Sequence, residues 1–255
     1  MELDIGLVVT LAVVIFVASA VNGVAGFGFA LVAVAVLAVM LEPRPAVVLI
    51  SLITPALQTF QLRYHWQYRS VSGRLVPMLV ASVVGTAVGS NLLVILPGYV
   101  LAIALGLFAL WYVIGSLRTS PMLVTPRTER RIAPAVGALA GVSNGALGAS
   151  GPILGSYLLA LGLTGRHFVF AISLTFAVMS AIRVATLAVL GAYTVTVLAL
   201  GLGLALPAWL GQRLGFWLQG RLSARAFQRI ILVALLAASA NLLYRGITEA
   251  IAVLR

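Results

Sequence analysis

Apolar residues fall along the chain in ten runs, at about 5–21, 24–41, 45–62, 75–96, 99–117, 132–147, 152–163, 168–190, 192–218 and 227–247, and clusters of Arg, Pro or Gly close each run. None of the runs alternates with period two, so they predict helices rather than strands. A full bilayer crossing takes roughly 20 residues. The runs on either side of Asn22 and of Asn144 are shorter, with legs of about 12 to 17 residues that reach ~18 to 26 Å against a hydrocarbon core of ~30 Å. They predict re-entrant hairpins that turn back within the membrane. The fold expected is an all-α polytopic membrane protein of eight to ten helical segments, some of them short re-entrant half-helices.

The pattern repeats. VNGVAGFG, starting at Val21, is matched by SNGALGAS, starting at Ser143. An offset of 122 residues carries Asn22 onto Asn144, Gly26 onto Gly148, Arg44 onto Arg166, Ile50-Ser51-Leu52 onto Ile172-Ser173-Leu174 and Gly89 onto Gly211. Two units of about five segments follow, a first membrane repeat over 1–117 and a second over 132–255. The linker 118–131 between them carries four arginines, and Pro121 and Pro126 mark it as non-helical. Arg and Lys concentrate on cytoplasmic loops of membrane proteins. Arg63, Arg69 and Arg74 therefore place the loop after the third run inside, whereas the next turn, Pro97-Gly98, is uncharged. In the second unit the corresponding loop near Gly191 is uncharged, and the following one carries Arg221, Arg225 and Arg229. The two units are thus expected as inverted repeats, with loops 63–74, 118–131 and 219–229 cytoplasmic and the N-terminus outside; this architecture is typical of transporters.

Composition places these runs in lipid. Of 255 residues, 62% are hydrophobic and 8% charged, too little polar surface to clothe a water-soluble globule. The net charge of +11 would suggest a nucleic-acid partner in a soluble domain, but most of the sixteen arginines cluster in short stretches between apolar runs and read as topology signals, so no such partner is expected. The exclusive use of Arg over Lys, with the Ala, Val, Leu and Gly bias, suggests a GC-rich bacterial genome and hence a multi-pass protein of the bacterial inner membrane. The absence of cysteine excludes disulfides and thiolate chemistry, and two histidines, His65 and His167, do not suffice for a His-rich metal site; no cofactor or metal is expected. Met1-Glu2-Leu3-Asp4 lacks the basic region of a cleavable signal peptide, so the first run is read as retained.

Candidate chemistry gathers at the two Gly-rich breaks, which hold Asn22, Gly23, Gly26 and Gly28 in the first unit and Asn144, Gly145, Gly148, Ser150 and Gly151 in the second. In inverted units the hairpin tips would meet near the midplane, and half-helices starting at Phe29 and Pro152 would aim their free N–H groups and positive dipole ends at one central site. Such a site prefers an anion. Glycine lets backbone amides come close to a ligand, and Asn both donates and accepts. The competing reading is plain helix packing at four-residue spacing, as for Gly85 with Gly89; duplication of the Asn favours a site.

Arg183 lies well inside the eighth run and is read as the countercharge of that anion, against the alternative that it snorkels to the interface. Its repeat mate, Gln61, is expected to offer an amide to the same anion. Arg44 and Arg166 occupy equivalent corners and read as helix caps ahead of an anion-attracting vestibule. Arg213, Trp209, Trp217, Trp66 and Tyr68 read as interfacial anchors. Gly148-Ala149-Ser150-Gly151 is a GxSG string, yet its base would have to be His65 or His167 in interfacial loops, so no enzyme is expected. Glu2, Asp4, Glu42, Glu129 and Glu249 all fall at termini or in loops, which leaves no carboxylate relay within the runs.

The segments NGVAGFGFALVAVAVL and NGALGASGPILGSYLLALGL, each followed by a basic corner at Arg44 or Arg166, resemble the sulfite exporter TauE/SafE family of permeases over essentially the whole chain. The family's glycine signature is followed more closely in the second half, at Gly145, Gly148, Gly151 and Pro152. In the first half Gly23, Gly26 and Gly28 match, Phe27 and Phe29 stand where smaller residues are usual, and the Pro is missing. The resemblance implies a carrier for sulfite, a sulfonate or another small organic anion. The expected function is therefore a secondary carrier or facilitated exporter of a small anion, with that anion and the lipid bilayer as partners and homo-oligomerisation left open. The alternatives are an anion channel, a transporter of a small carboxylate, and a structural membrane subunit. Saturation and counterflow separate a carrier from a channel, and copurifying partners mark a subunit.

Overall fold

The computed structural model describes residues 5–25, 28–116, 125–218 and 224–254. Among these residues there are ten α-helices and no strand: α1 (Ile5–Ala25), α2 (Phe29–Leu41), α3 (Pro43–Tyr64), α4 (Ser72–Ile95), α5 (Gly98–Ser116), α6 (Pro126–Leu147), α7 (Gly151–Ala160), α8 (Gly165–Val189), α9 (Val195–Leu218) and α10 (Ala224–Leu254). A 3-10 turn, Trp66–Val71, joins α3 to α4. Six of the helices among the described residues, α1, α3, α4, α5, α8 and α9, are long and apolar enough to cross a membrane. The chain is an all-helical, multi-pass membrane protein.

The hairpins differ from the expected ones. Asn22 and Asn144 do not break their helices; α1 and α6 run through them for 21 and 22 residues, about 31 and 33 Å of helix. Only the return legs are short, 13 residues in α2 and 10 in α7, roughly 20 and 15 Å. The reason is that Gly23 and Gly145, which cost helix propensity, lie in close helix contacts that offset the loss. The breaks fall later, at Gly28 and at Gly148–Ser150; Gly26 lies outside the described residues.

The linker is also shorter than expected. Residues 117–124 lie outside the described residues, but Pro126 opens α6 instead of marking a loop. Thr125 caps that helix, its side chain accepting the Thr128 N–H at 3.4 Å, and proline at the first helical position loses no hydrogen bond. Glu129 consequently sits in the first turn of α6, and Glu249 lies within α10. Of the basic stretch 219–229, residues 219–223 lie outside the described residues and 224–229 open α10.

Two glycine seams hold the bundle together. On α4, Gly85 lies against the backbone of Ala138 and Gly89 against that of Val142 of α6; in return Gly137, Gly141 and Gly145 lie against α4 at Met78, Ser82 and Thr86. On α9, Gly211 lies against Phe16 and Gly215 against Ala20 of α1, while Gly23 lies against Gln212 and Gly215. In both pairs residue numbers rise together, so the helices are parallel. Small residues every four positions let two backbones approach without side chains between them, which supplies the dispersion contacts that hydrophobicity cannot supply between helices in lipid. The opposite face of α4 turns Val76, Val80, Val84 and Val88 outward, as a lipid-facing stripe should.

The same contacts recur in the two halves. Phe16 and Ala20 stand 122 residues before Ala138 and Val142, whereas Gly85 and Gly89 stand 126 residues before Gly211 and Gly215. Helix α9 is therefore displaced by one turn from the uniform offset, and the packing counterpart of Gly89 is Gly215 rather than Gly211.

Helices α3 and α8 form the middle of the bundle and run antiparallel, since Phe170 packs on Trp66 and Arg183 reaches back to Thr54. On α3, Ser51, Thr54, Gln58 and Gln61 are all buried. Their spacing of three, four and three residues puts them on one helix face. Thr54 of this interior polar stripe meets α8, which buries Ser173, Thr175, Ser180 and Arg183.

Candidate functional site

The guanidinium of Arg183 is fully buried, with 0% of the residue exposed. Its Nη1 donates to the Asn144 carbonyl at 3.0 Å, and its Nη2 donates to the Thr54 hydroxyl at 3.3 Å, which in turn donates to the Ile50 carbonyl at 2.8 Å. Nε has no partner among the described residues. Arg183 is thus an interior residue; it does not snorkel.

The Asn144 carbonyl belongs to the last turn of α6, where Gly148 closes the helix in the left-handed conformation at φ 70° and its N–H also reaches Asn144, at 3.0 Å. A cation at this negative helix end is favourably placed. Gly148 matters sterically too, because a Cβ there would stand 3.5 Å from Arg183 Nη1 and 3.0 Å from Val34. The side chain of Asn144 donates to Ser150 Oγ at 3.5 Å and keeps Oδ1 unpaired. Ser150 precedes α7, whose first intrahelical bond runs from the Leu154 N–H to the Ser150 carbonyl. The amides of Gly151 and Ile153 therefore have no acceptor within the helix. One small region thus holds a guanidinium, a hydroxyl and a positive helix end, with Gly148 and Gly151 keeping side chains out of the way.

Among the described residues no carboxylate balances this charge. The ion pair among the described residues joins Arg74 to Glu129, with Nε at 2.6 and 2.8 Å and Nη2 at 2.6 Å from the carboxylate oxygens. That pair ties α4 to α6. Tyr193, in the turn after α8, caps the α3 face next to Arg183 through its hydroxyl contact with Ser51 at 2.7 Å. Burial pushes its phenol up, outweighing the Ser51 bond and the Arg183 charge, so it stays neutral and cannot serve as the missing anion.

Asn22 and Gln61 form a second, separate cluster. Asn22 Nδ2 donates to Gln61 Oε1 at 3.1 Å, and Gln212 Nε2 donates to the Leu57 carbonyl at 3.1 Å. The repeat mates thus meet in each half, Asn22 with Gln61 and Asn144 with Arg183. Gln61 lies seven residues beyond Thr54 along α3, roughly 10 Å of helix, and the mates expected to flank one anion bond different partners, Gln61 with Asn22 and Arg183 with Asn144 and Thr54. Gly23 and Gly145 face neighbouring helices in the seams, and Gly28 opens α2 at φ 108°.

The remaining candidates resolve into structural roles. Arg44 caps α4 by donating to the carbonyls of Leu93 at 3.0 Å and Leu96 at 2.6 Å. Arg166 donates to the Tyr68 hydroxyl at 2.9 Å, and Arg213 stacks over Trp209 at 4.8 Å. His65 bonds the Gln61 carbonyl at 3.0 Å and His167 packs edge-on to Tyr68, so neither approaches Ser150 as a base would. Gln58 and Gln212 were missed by sequence reasoning as members of polar clusters; the 51, 54, 58, 61 periodicity of α3 carried the signal for Gln58.

A polytopic helical bundle whose interior polar stripe is shielded from lipid has the architecture of a membrane transporter. The chain belongs to the sulfite exporter TauE/SafE family, whose model matches residues 11–242, nearly the full length. It is accordingly a membrane transporter and not an enzyme. Comparison with curated proteins and with solved structures returns no match.

Proposed function

We propose that the protein is a secondary carrier or facilitated exporter of a small anion, sulfite or an organosulfonate, and that Arg183, Asn144, Ser150 and the first turn of α7, with Gly148 and Gly151, bind it. The observation that carries this reading is the buried guanidinium of Arg183 with no acidic partner among the described residues. An uncompensated charge in a membrane interior is costly, and a bound oxyanion removes that cost. A tetrahedral or pyramidal oxyanion accepts charge-assisted bonds from guanidinium N–H groups and helix N-terminal amides together. The family supports a sulfur oxyanion over a carboxylate.

The two halves, 1–117 and 132–255, are proposed to be inverted repeats. Support comes from α3 and α8, which are repeat mates and run antiparallel; a parallel duplication would leave mates parallel. The arginine-bearing side is proposed to face the cytoplasm of a bacterial inner membrane.

The test is uptake of radiolabelled sulfite, isethionate, sulfoacetate and a carboxylate control into proteoliposomes. Saturable uptake and counterflow of a sulfur anion are expected. Arg183→Ala should raise the half-saturating concentration about ten- to hundredfold, the worth of a lost bond to a charged group. Uptake by Arg183→Ala at the wild-type half-saturation would overturn the site.

A further inference from the structure

We infer that the carboxamide cluster of Asn22, Gln58, Gln61 and Gln212 binds an alkali cation of the sodium class. Its coupling to anion movement rests on the carrier reading above, whereas the binding itself does not.

All four side chains are buried, Asn22, Gln61 and Gln212 at 0% exposure and Gln58 at 3%. They belong to one turn of α3 and the two helices against it. Gln58 and Gln61 are neighbours on the α3 face, Gln212 of α9 is bonded to the Leu57 carbonyl, and Asn22 of α1 is bonded to Gln61. Gly23, next to Asn22, packs on the backbone of Gln212 and so closes the ring of contacts.

What this cluster leaves over is oxygen. Asn22 Oδ1, Gln58 Oε1 and Gln212 Oε1 are buried without a donor among the described residues, and Gln61 Nε2 is buried without an acceptor. The Gln212 amide cannot be turned round, because a backbone carbonyl accepts only and must face the nitrogen. In the Asn22–Gln61 pair either orientation leaves one oxygen bare. Buried acceptors without donors are costly unless something positive meets them.

The other half identifies what is missing. At the end of α6, Arg183 places a cation on the Asn144 carbonyl. At the equivalent end of α1 the same position is Gln61, which is neutral, and the surrounding oxygens are left without the charge their counterparts have. A mobile cation completes the equivalence. Carboxamides do not take up protons at physiological pH, so the ligand is a metal ion rather than H⁺. Divalent ions seek carboxylates, and none among the described residues joins this cluster. Helix ends and neutral oxygens are the ligands that coupling ions use in broken-helix carriers.

The test is thermal unfolding of the full-length protein in detergent, titrating NaCl, LiCl or KCl against choline chloride at constant ionic strength. The wild type should show a rise in Tm that saturates with Na⁺. Gln58→Leu and Gln212→Leu should each raise the half-saturating Na⁺ concentration about tenfold, the worth of one lost polar contact. Gln61→Arg installs the tethered cation of the other half and should abolish the Na⁺ response without lowering Tm in choline. Arg183→Ala should keep the Na⁺ response even as anion uptake falls. A wild type indifferent to all three cations overturns the cation site, as does an unchanged response in both Gln58→Leu and Gln212→Leu. An intact Na⁺ response alongside normal anion uptake in Arg183→Ala overturns the anion site alone.

Discussion

At the scale of single residues, one substitution between repeat mates separates the two polar clusters. Position 183 carries a guanidinium and position 61 a carboxamide, and each bonds the Asn of its own half. If the planar fork matters beyond its charge, Arg183→Lys will not restore function. Lys keeps the charge but cannot span the Asn144 carbonyl and the Thr54 hydroxyl at once. Its half-saturating anion concentration should fall between those of wild type and Arg183→Ala, read in the same uptake assay. His65 carries a second residue-level prediction. Burial lowers its pKa below 6.5, and the Arg166 charge adds to this, while the bond to the Gln61 carbonyl acts in the opposite sense without overcoming them. The folded state therefore binds fewer protons than the unfolded state as pH falls, so stability is constant above about pH 6.5 and declines below it. Thermal unfolding between about pH 8 and pH 5 should show a steeper acid decline for wild type than for His65→Phe, which keeps the aromatic packing against Tyr64 and Phe216. Parallel curves would show that another group governs the decline.

At the scale of elements, the glycine seams make a prediction that separates packing from conformational freedom. A Cβ on Gly141 would stand 2.5 Å from the Ser82 carbonyl oxygen, whereas one on Gly73 would meet nothing within 4 Å. Both lie in helices. Gly141→Ala should therefore destabilise by about 1 to 3 kcal/mol through overpacking, and Gly73→Ala should be neutral or stabilising by up to about 1 kcal/mol through helix propensity. Tm in detergent reads both. The same contrast explains what could be read from the chain. All ten helices were visible as apolar runs because lipid leaves no other solvent for such stretches. The positions of the breaks were not, since an Asn-Gly pair signals a turn in most settings. Here Gly23 and Gly145 stay helical because α9 and α4 pack directly onto them. The start of α6 was hidden by its proline, which opens a helix as readily as it ends one when a capping Thr125 precedes it. Arg183, Asn22, Asn144 and Gln61 were recognisable by type and duplication. Which of them meet was not, because that depends on the antiparallel register of α3 and α8.

At the scale of the whole molecule, the two clusters lie along α3, one against α8 and the other against α1 and α9, separated by roughly 10 Å of helix. Tyr193 covers the Arg183 end through Ser51, and the stacked rings of Phe60, Tyr64 and Phe216 cover the Gln61 end. If the halves are inverted, these ends face opposite sides of the membrane, and that can be measured directly. The chain has no native cysteine, so single cysteines report cleanly. Ser70→Cys lies in the turn before α4, Val195→Cys at the start of α9 and Arg130→Cys in the first turns of α6, all exposed. With a membrane-impermeant maleimide on intact cells, Val195→Cys should label, and Ser70→Cys and Arg130→Cys should label only after the membrane is opened. Labelling of residues 70 and 195 from the same side would contradict the antiparallel crossing of α3 and α8 and remove the inverted repeat. Labelling of residues 70 and 130 alone on intact cells would keep the inversion but reverse the sidedness, making the arginine-rich face external. The Arg183 cluster would then sit nearer the cytoplasm, where it would load its anion, and the oxygen cluster would sit nearer the outside.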